Sequence, residues 1–558
     1  MRRTTALSLV PAAAALSLVL ASSAAGSPTP FAPVLLAAGP AHVASDTVGG
    51  GFRRVTFSPD GDGRDDVVTI RVRTTPGEQL ALRLNPDSRS PTLLPLPPAR
   101  GRTTTVRWNG LQSGGTRYPT GSYVLRVCDA RTRACSREAV LAHLRLISLY
   151  ARTAVGVSAG EDVPVNVDTD HAGKVTLDLV PSDDVDGVGI GATRVGNGES
   201  LYRVPDVPHG GVWLLRAQAG PDVTHFPLVV HQPDWSLDDP PPHTALVVYP
   251  YLTWRAYDMF DGNRNGQVDS WYAHPRTPVV PLYGPFEPPA KDPSGEGLPP
   301  NPQSQSAFAE WLAVHRLTAQ HVTDVELGRL PASVLAKYAE VVFAGHTEYY
   351  EDATYAKVMR YRDDGGHLYF LQGNSFYGQA QIVGDHVWRR SYRYRTPTRS
   401  DFALAVDGFR TCCWPHSIRP LYSLAPGAVE ALPWAFAGTD LKDGDPFGLA
   451  DGEVDTVDPA LSPPGTVVLA TATVPPFTPK NPESPNAWLG SRPIPYEPSW
   501  KKPQQIDIAY ARTGRGEVFS WGNTGFMKTV RYGDLGLPAS ERDALDRVAL
   551  NVWEHFAR

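Results

Sequence analysis

The chain has 558 residues, more than one hydrophobic core serves, so about two to four domains are expected. A formal net charge of −6 excludes the electrostatic footprint of a nucleic-acid or anionic-membrane binder. With 50 glycines and 54 prolines, turn-rich β modules are favoured over long helical bundles.

The first 26 residues read as a secretory signal: Arg2 and Arg3, then an apolar run from Ala6 to about Ala21, then small residues. A cleaved signal implies a secreted, extracellular protein with no membrane attachment afterwards. Residues 27–50 are an Ala/Pro/Ser-rich leader. From 51 to 149, alternating runs such as "VVTIRVR", "QLALRL" and "SYVLRVCD" are separated by turn signals, the pattern of a β-sandwich. Within it, Asp60, Asp62, Asp65 and Asp66 crowd one glycine-rich turn. Hard oxygens at that density suit calcium, and a solvated acidic turn is the alternative. Cys128 and Cys135 lie between two strand-like runs, where an oxidising compartment favours a hairpin disulfide.

Residues 150–235 carry further strand runs, "VPVNVDT", "KVTLDLV" and "VWLLRAQA", and a second sandwich is expected. Residues 236–244 form a proline-rich linker. The pattern then changes. "ALVVYPYLTW" is a continuous apolar run, as for a strand buried on both faces. From 304 to 374, helix-like and strand-like segments alternate, which implies a parallel sheet wrapped by helices over 245–558. In such sheets the site lies beyond the carboxyl ends of the strands. That points to Tyr251–Asp258, His346–Tyr350 and Gln372–Tyr377.

Directly after "TWRAYD" comes "DGNRNGQVD". Asp261, Asn263, Asn265 and Asp269 offer side-chain oxygens around Gly266, but position twelve is Tyr272, where a full calcium loop has glutamate. A structural calcium at the rim of a pocket is one reading, an Asn/Gly-rich turn the other. Cys412 and Cys413 are adjacent, with only His416 nearby, which disfavours zinc and leaves a vicinal disulfide or two separate fates.

Two resemblances add to this. "FSPDGDGRDD" with "VRWNGLQSGGTRYPTGSYVLRV" resembles the Ig-like module of flagellar hook-capping proteins over about 53–148. "TWRAY", "GHTEYY", "LQGN" and "GTDLKDGDPFGLADGEVD", in that order, resemble the C-terminal domain of the N,N-dimethylformamidase large (beta) subunit family over 245–558. The strand runs and the two resemblances together imply two Ig-like β-sandwiches followed by a Rossmann-like, glutamine-amidotransferase-related α/β domain. The second also implies a mononuclear iron held by two tyrosines and a glutamate, hydrolysing a C–N bond. Phenolate and carboxylate are hard donors suited to ferric iron. Carried over, Tyr349 and Glu453 match two ligands. Tyr257 or Tyr350 supplies the second tyrosine, and Phe308 stands where a helical tyrosine would otherwise be. His346 or Glu348 would orient water or act as base. No serine or cysteine elbow follows "VVFAG".

The leading expectation is thus an iron-dependent hydrolase of an amide. The other is a non-catalytic surface protein with calcium-stabilised β modules, holding a small-molecule or cell-surface ligand. Asp443, Asp445, Asp451, Glu453 and Asp455 leave open a carboxylate-pair glycan enzyme.

Overall fold

The computed structural model describes residues 34–40, 47–48, 52–59, 66–85, 92–118, 121–136, 139–169, 175–258, 260, 269–271, 278–286, 302–376, 378–392, 420–450, 454–457, 459, 462–476, 503–532 and 537–558. The signal segment, Asp60, Asp62, Asp65, Asp261, Asn263, Asn265, Cys412, Cys413, Asp451 and Glu453 lie outside the described residues. The chain divides into two compact units, Met1–Leu146 and Ile147–Arg558.

In the first unit a three-stranded sheet (Val34–Pro40, Val68–Arg73, Thr103–Trp108) faces a six-stranded one. The alternation read from the sequence is the packing rule: Val68, Ile70 and Val72 point inward, against Leu80, Leu82 and Leu84. Trp108 anchors this core, in ring contact with Phe57, Tyr118 and Tyr123. Cys128 and Cys135 form a disulfide across a turn held by Asp129, which accepts from the Arg131 and Thr132 amides. Those bonds, the Thr132 amide foremost, hold its carboxyl below the usual carboxylate range. Asp66 is half-buried in this unit.

The second unit opens with a three-stranded sheet (Ile147–Ala151, Asp162–Thr169, Gly198–Arg203) and a four-stranded sheet (Ile190–Val195, Val175–Pro181, Gly211–Ala219, Asp222–Val230). Val163, Val165, Leu177, Leu179, Trp213, Leu215 and Phe226 fill the space between them. The same apolar cluster continues without a break into Val247, Trp254, Trp271 and Tyr369, so the sandwich has no core of its own. Polar links follow the same seam. Thr323 Oγ1 donates to the Ala154 carbonyl at 2.7 Å, and the Gln232 amide to Gln320 Oε1 at 2.7 Å.

Beyond it runs a nine-stranded sheet in the order Ala319–Thr323, Ala245–Tyr249, Glu340–Phe343, His367–Phe370, Gly516–Ser520, Gln504–Thr513, Val467–Val474, Leu421–Leu424, Pro446–Leu449. This corrects the expected α/β, Rossmann-like domain. Over all the described residues strands take 42% and helices 18%, and the sheet is mixed. Its first four junctions are parallel and its last four antiparallel. The alternation of strands and helices that suggested a uniform parallel sheet ends at Phe370. Antiparallel pairing takes over along Leu421–Leu424, Pro446–Leu449, Val467–Val474, Gln504–Thr513 and Gly516–Ser520. A separate four-stranded sheet (Val279–Pro281, His386–Tyr392, Gly378–Val383, Tyr349–Glu351) also lies in this unit.

Glu340, the first residue of its strand, is fully buried, and neither carboxyl oxygen has a hydrogen-bond partner among the described residues. Burial pushes its carboxyl well above the usual range. The folded chain therefore keeps a proton that the unfolded chain loses above about pH 4.5. Stability falls as pH rises from there, by up to about 1.4 kcal/mol per pH unit, until the folded pKa is passed. Glu340→Gln is expected to match the parent near pH 4.5 and to gain on it as pH rises. Urea midpoints along a pH series check this, and a constant difference between the two proteins would refute it.

Candidate functional site

The site is built at the carboxyl ends of two neighbouring parallel strands, Ala245–Tyr249 and Glu340–Phe343. The first runs through Pro250 into the helix Tyr251–Tyr257, all of whose residues are buried. Pro250 lacks an N–H, which costs nothing at a helix start. The free Leu252 amide instead donates to the Asp324 carboxylate at 3.2 Å. Burial raises the Asp324 carboxyl well above the usual range, against the opposing effect of those amide bonds.

One helical turn separates Thr253 from Tyr257, so both face the same side. Thr253 Oγ1 accepts from the Glu348 amide at 3.0 Å and the Tyr349 amide at 3.1 Å. Across the loop, the Thr347 amide donates to Gln372 Oε1 at 2.7 Å. Gly345, at φ +122°, turns the chain out of its strand in a conformation that disfavours any side chain. These bonds fix the main chain of "GHTEYY".

The outcome is a tight triangle. Tyr257 Oη donates to Glu348 Oε2. His346 Nε2 lies 3.4 Å from Tyr257 Oη and 3.5 Å from Glu348 Oε2. All three residues are buried. Tyr349 continues the wall: its ring meets Tyr257 edge-on at 6.2 Å and Trp271 at 4.8 Å. It lies so close to Gly378 that a Cβ there would sit 2.6 Å from ring carbons.

A buried ion pair supports the helix from behind. Arg255 Nη2 lies 3.0 Å from Asp258 Oδ2, and the guanidinium donates to the carbonyls of Pro281 and Gly284. It also sits 4.5 Å above the Phe286 ring. On the far side, Asn374 and Phe376 have φ of 58° and 55°. Asp455 Oδ1 accepts from the Asn374 amide at 2.7 Å, and its own amide donates to Gly522. Asp455 thus ties two strand ends.

Of the residues singled out by sequence, the fold brings Tyr257, His346, Glu348 and Tyr349 together. Tyr350 points the other way, against Tyr355 and Phe376, as alternation along a strand requires. Phe308 packs on Trp311 and Trp553. Asp269 is buried beside the site, its amide bonded to the Phe260 carbonyl. Asp443 caps an exposed turn at Gly427 and Asp445 accepts from Lys442, so these two serve local turns. Thr253 and Gln372 fall inside the stretches the sequence pointed to, though without a role, and sequence reasoning missed Trp271 altogether. For Thr253, its place four residues before Tyr257 was the available signal.

Ligand atoms bound about 2.0–2.2 Å from one metal lie about 3.0–3.5 Å from each other. The His346–Tyr257 and His346–Glu348 separations fall in that range. Tyr257 Oη and Glu348 Oε2 stand closer because they share a hydrogen and would part on holding one ion. The donor set of phenol, imidazole and carboxylate suits iron. Among the described residues no three His, Cys, Asp or Glu side chains gather, so a metal here would depend on the phenol.

A family model described as N,N-dimethylformamidase beta subunit-like, C-terminal, matches residues 199–535. No match was found among curated proteins. Solved structures with some likeness include a ThuA-like protein from Bacteroides uniformis ATCC 8492, 9% identical over 56% of this chain and 89% of that one, with a TM-score of 0.27. The human OSCAR ligand-binding domain is 14% identical over 31% of this chain and 92% of its own, at 0.12. A beta-glucuronidase from Faecalibacterium prausnitzii is 12% identical over 52% and 48%, at 0.15. Scores this low carry no argument for function.

Proposed function

The chain belongs to the N,N-dimethylformamidase beta subunit-like family through residues 199–535, and from that premise we propose that it is an exported hydrolase of a C–N bond, with an amide as substrate. The observation that carries the proposal is the buried meeting of Tyr257 Oη, His346 Nε2 and Glu348 Oε2 at two adjacent strand ends. Those three atoms would hold a ferric ion. Bound there, it would polarise the amide carbonyl and lower the pKa of a water molecule.

The chain's own groups supply the rest. Glu348 accepts the phenolic hydrogen of Tyr257, so iron uptake would release that proton, and His346 Nε2 stands within reach of both oxygens to complete the donor set. Thr253 holds the backbone under Glu348 and Tyr349, so both side chains keep their aim. Trp271 and Tyr349 wall the site against water. This assignment differs from the ligand set read by resemblance at two places: His346 stands where Tyr349 had been, and Glu348 where Glu453 had been, the latter lying outside the described residues.

Iron reconstitution of the purified protein tests the reading. About one iron per chain, with a visible phenolate-to-iron absorption band, is the expected result. A colourless protein that takes up no iron would sink it.

A further inference from the structure

Within the second unit, far along the sequence from the cluster just described, "GVSAG" at 156–160 has the G-x-S-x-G spacing of a serine nucleophile. It sits in a turn, so the spacing alone decides nothing. What the fold adds is the company. Ser158 Oγ lies 3.0 Å from His231 Nδ1, and His231 Nε2 lies 3.0 Å from Glu326 Oε1. A carboxylate cannot donate, so Nε2 carries the ring proton toward Glu326. In the neutral ring Nδ1 is then the acceptor for the Ser158 hydroxyl. That is the serine–base–orienting-carboxylate order of a nucleophilic relay, with the two ring nitrogens exchanged relative to the common arrangement.

We infer that Ser158, His231 and Glu326 form a second, serine-based hydrolytic site that accepts small acyl esters.

Three features support chemistry over a chance contact. His231 and Glu326 are largely buried, with side chains 13% and 11% exposed, while Ser158 is exposed. The base is thus held rigidly and the nucleophile is accessible. The backbone fixes their register: the His231 amide donates to Val157 at 2.9 Å and the Val157 amide to Val229 at 2.9 Å. Gly156 makes the room. A Cβ there would stand 2.4 Å from His231 Nε2 and 2.8 Å from Glu326 Oε2, and its amide donates to Glu326 Oε2 at 2.9 Å. The pair and the glycine therefore require one another.

The reaction balances without a cofactor. Ser158 Oγ bonds to the ester carbonyl carbon as its proton passes to His231 Nδ1. Glu326 stabilises the imidazolium through Nε2–H. The same proton goes to the departing alkoxide as the C–O bond breaks. Water then cleaves the acyl-serine by the same route, releasing the acid and restoring the hydroxyl. The Ala159 amide follows the nucleophile and makes no backbone hydrogen bond among the described residues, so it is the N–H the proposal assigns to the oxyanion. One missing oxyanion donor costs about 10²–10³ in rate, which is why esters with good leaving groups, and not amides, are the substrate class.

The test is labelling of the full chain with a fluorophosphonate probe, with p-nitrophenyl acetate hydrolysis in parallel. The expected result is a covalent adduct on the peptide bearing Ser158. Ser158→Ala should abolish it and lower ester turnover by about 10²-fold or more. His231→Ala should lose labelling, and added imidazole should restore part of it, a response a structural clamp would not give. Absence of the adduct on the folded parent protein, or an adduct unaffected by Ser158→Ala, overturns the inference. Neither result depends on iron, so failure here is distinct from failure of the Tyr257 site.

Discussion

Tyr257→Phe is expected to remove iron uptake and its visible band, and to lower any amide hydrolysis by at least about 10²-fold, with little loss of stability. The reasoning is local. The substitution deletes one oxygen and keeps the ring, so the edge-on contact with Tyr349 survives. What goes is the phenol that links Glu348 and His346. Without it one carboxylate and one imidazole remain, too few hard donors to retain ferric iron. Glu348 also loses a buried hydrogen-bond donor, worth about 1–3 kcal/mol, so the melting temperature should fall by only a few degrees. Metal analysis with thermal unfolding on the same sample separates the two effects. Full iron content in Tyr257→Phe would exclude Tyr257 as a ligand.

Arg255→Ala should destabilise the second unit strongly, by about 3–5 kcal/mol. The guanidinium is fully enclosed, and Asp258 beside it is almost so. Removing it strands a buried carboxylate and the carbonyls of Pro281 and Gly284, and it leaves a void over Phe286. Arg255→Lys recovers little, because an ammonium cannot reproduce the planar fork that reaches all of these at once. Arg255→Met combined with Asp258→Asn should be milder than Arg255→Ala, since no unpaired charge stays inside. Urea unfolding of the three variants measures this ordering. A double variant less stable than Arg255→Ala would show that the charges are not what matters.

How much of this was legible in the sequence depends on which physical signal carried it. Alternation with a period of two marked Val68–Arg73 and Asp162–Thr169, because each buries one face only. The continuous apolar run at Ala245–Tyr249 marked a strand buried on both faces. The same reasoning failed after Phe370. Pro446–Leu449 and Leu421–Leu424 are short, partly exposed strands at the end of the sheet, with no apolar run to announce them. Their antiparallel pairing depends on partners far away in sequence. At the site, "GHTEYY" showed which residue types were available but not which way they face. Tyr349 and Tyr350 are indistinguishable in the text. Only the strand pairing of Tyr349 with Gly378 sends one toward Tyr257 and the other toward Phe376. The Ser158–His231–Glu326 grouping was out of reach because its members are 73 and 95 residues apart.

The unbroken apolar cluster joining the sandwich to the nine-stranded sheet separates what is inherited from what can fold. The stretch matched by the family begins at residue 199, inside the strand Gly198–Arg203. A chain begun there would lack Asp162–Thr169, the neighbour on which that strand is paired, and would expose the apolar underside of the site to water. The stretch recognisable by descent is therefore shorter than the compact unit that holds the Tyr257 site, which begins at Ile147.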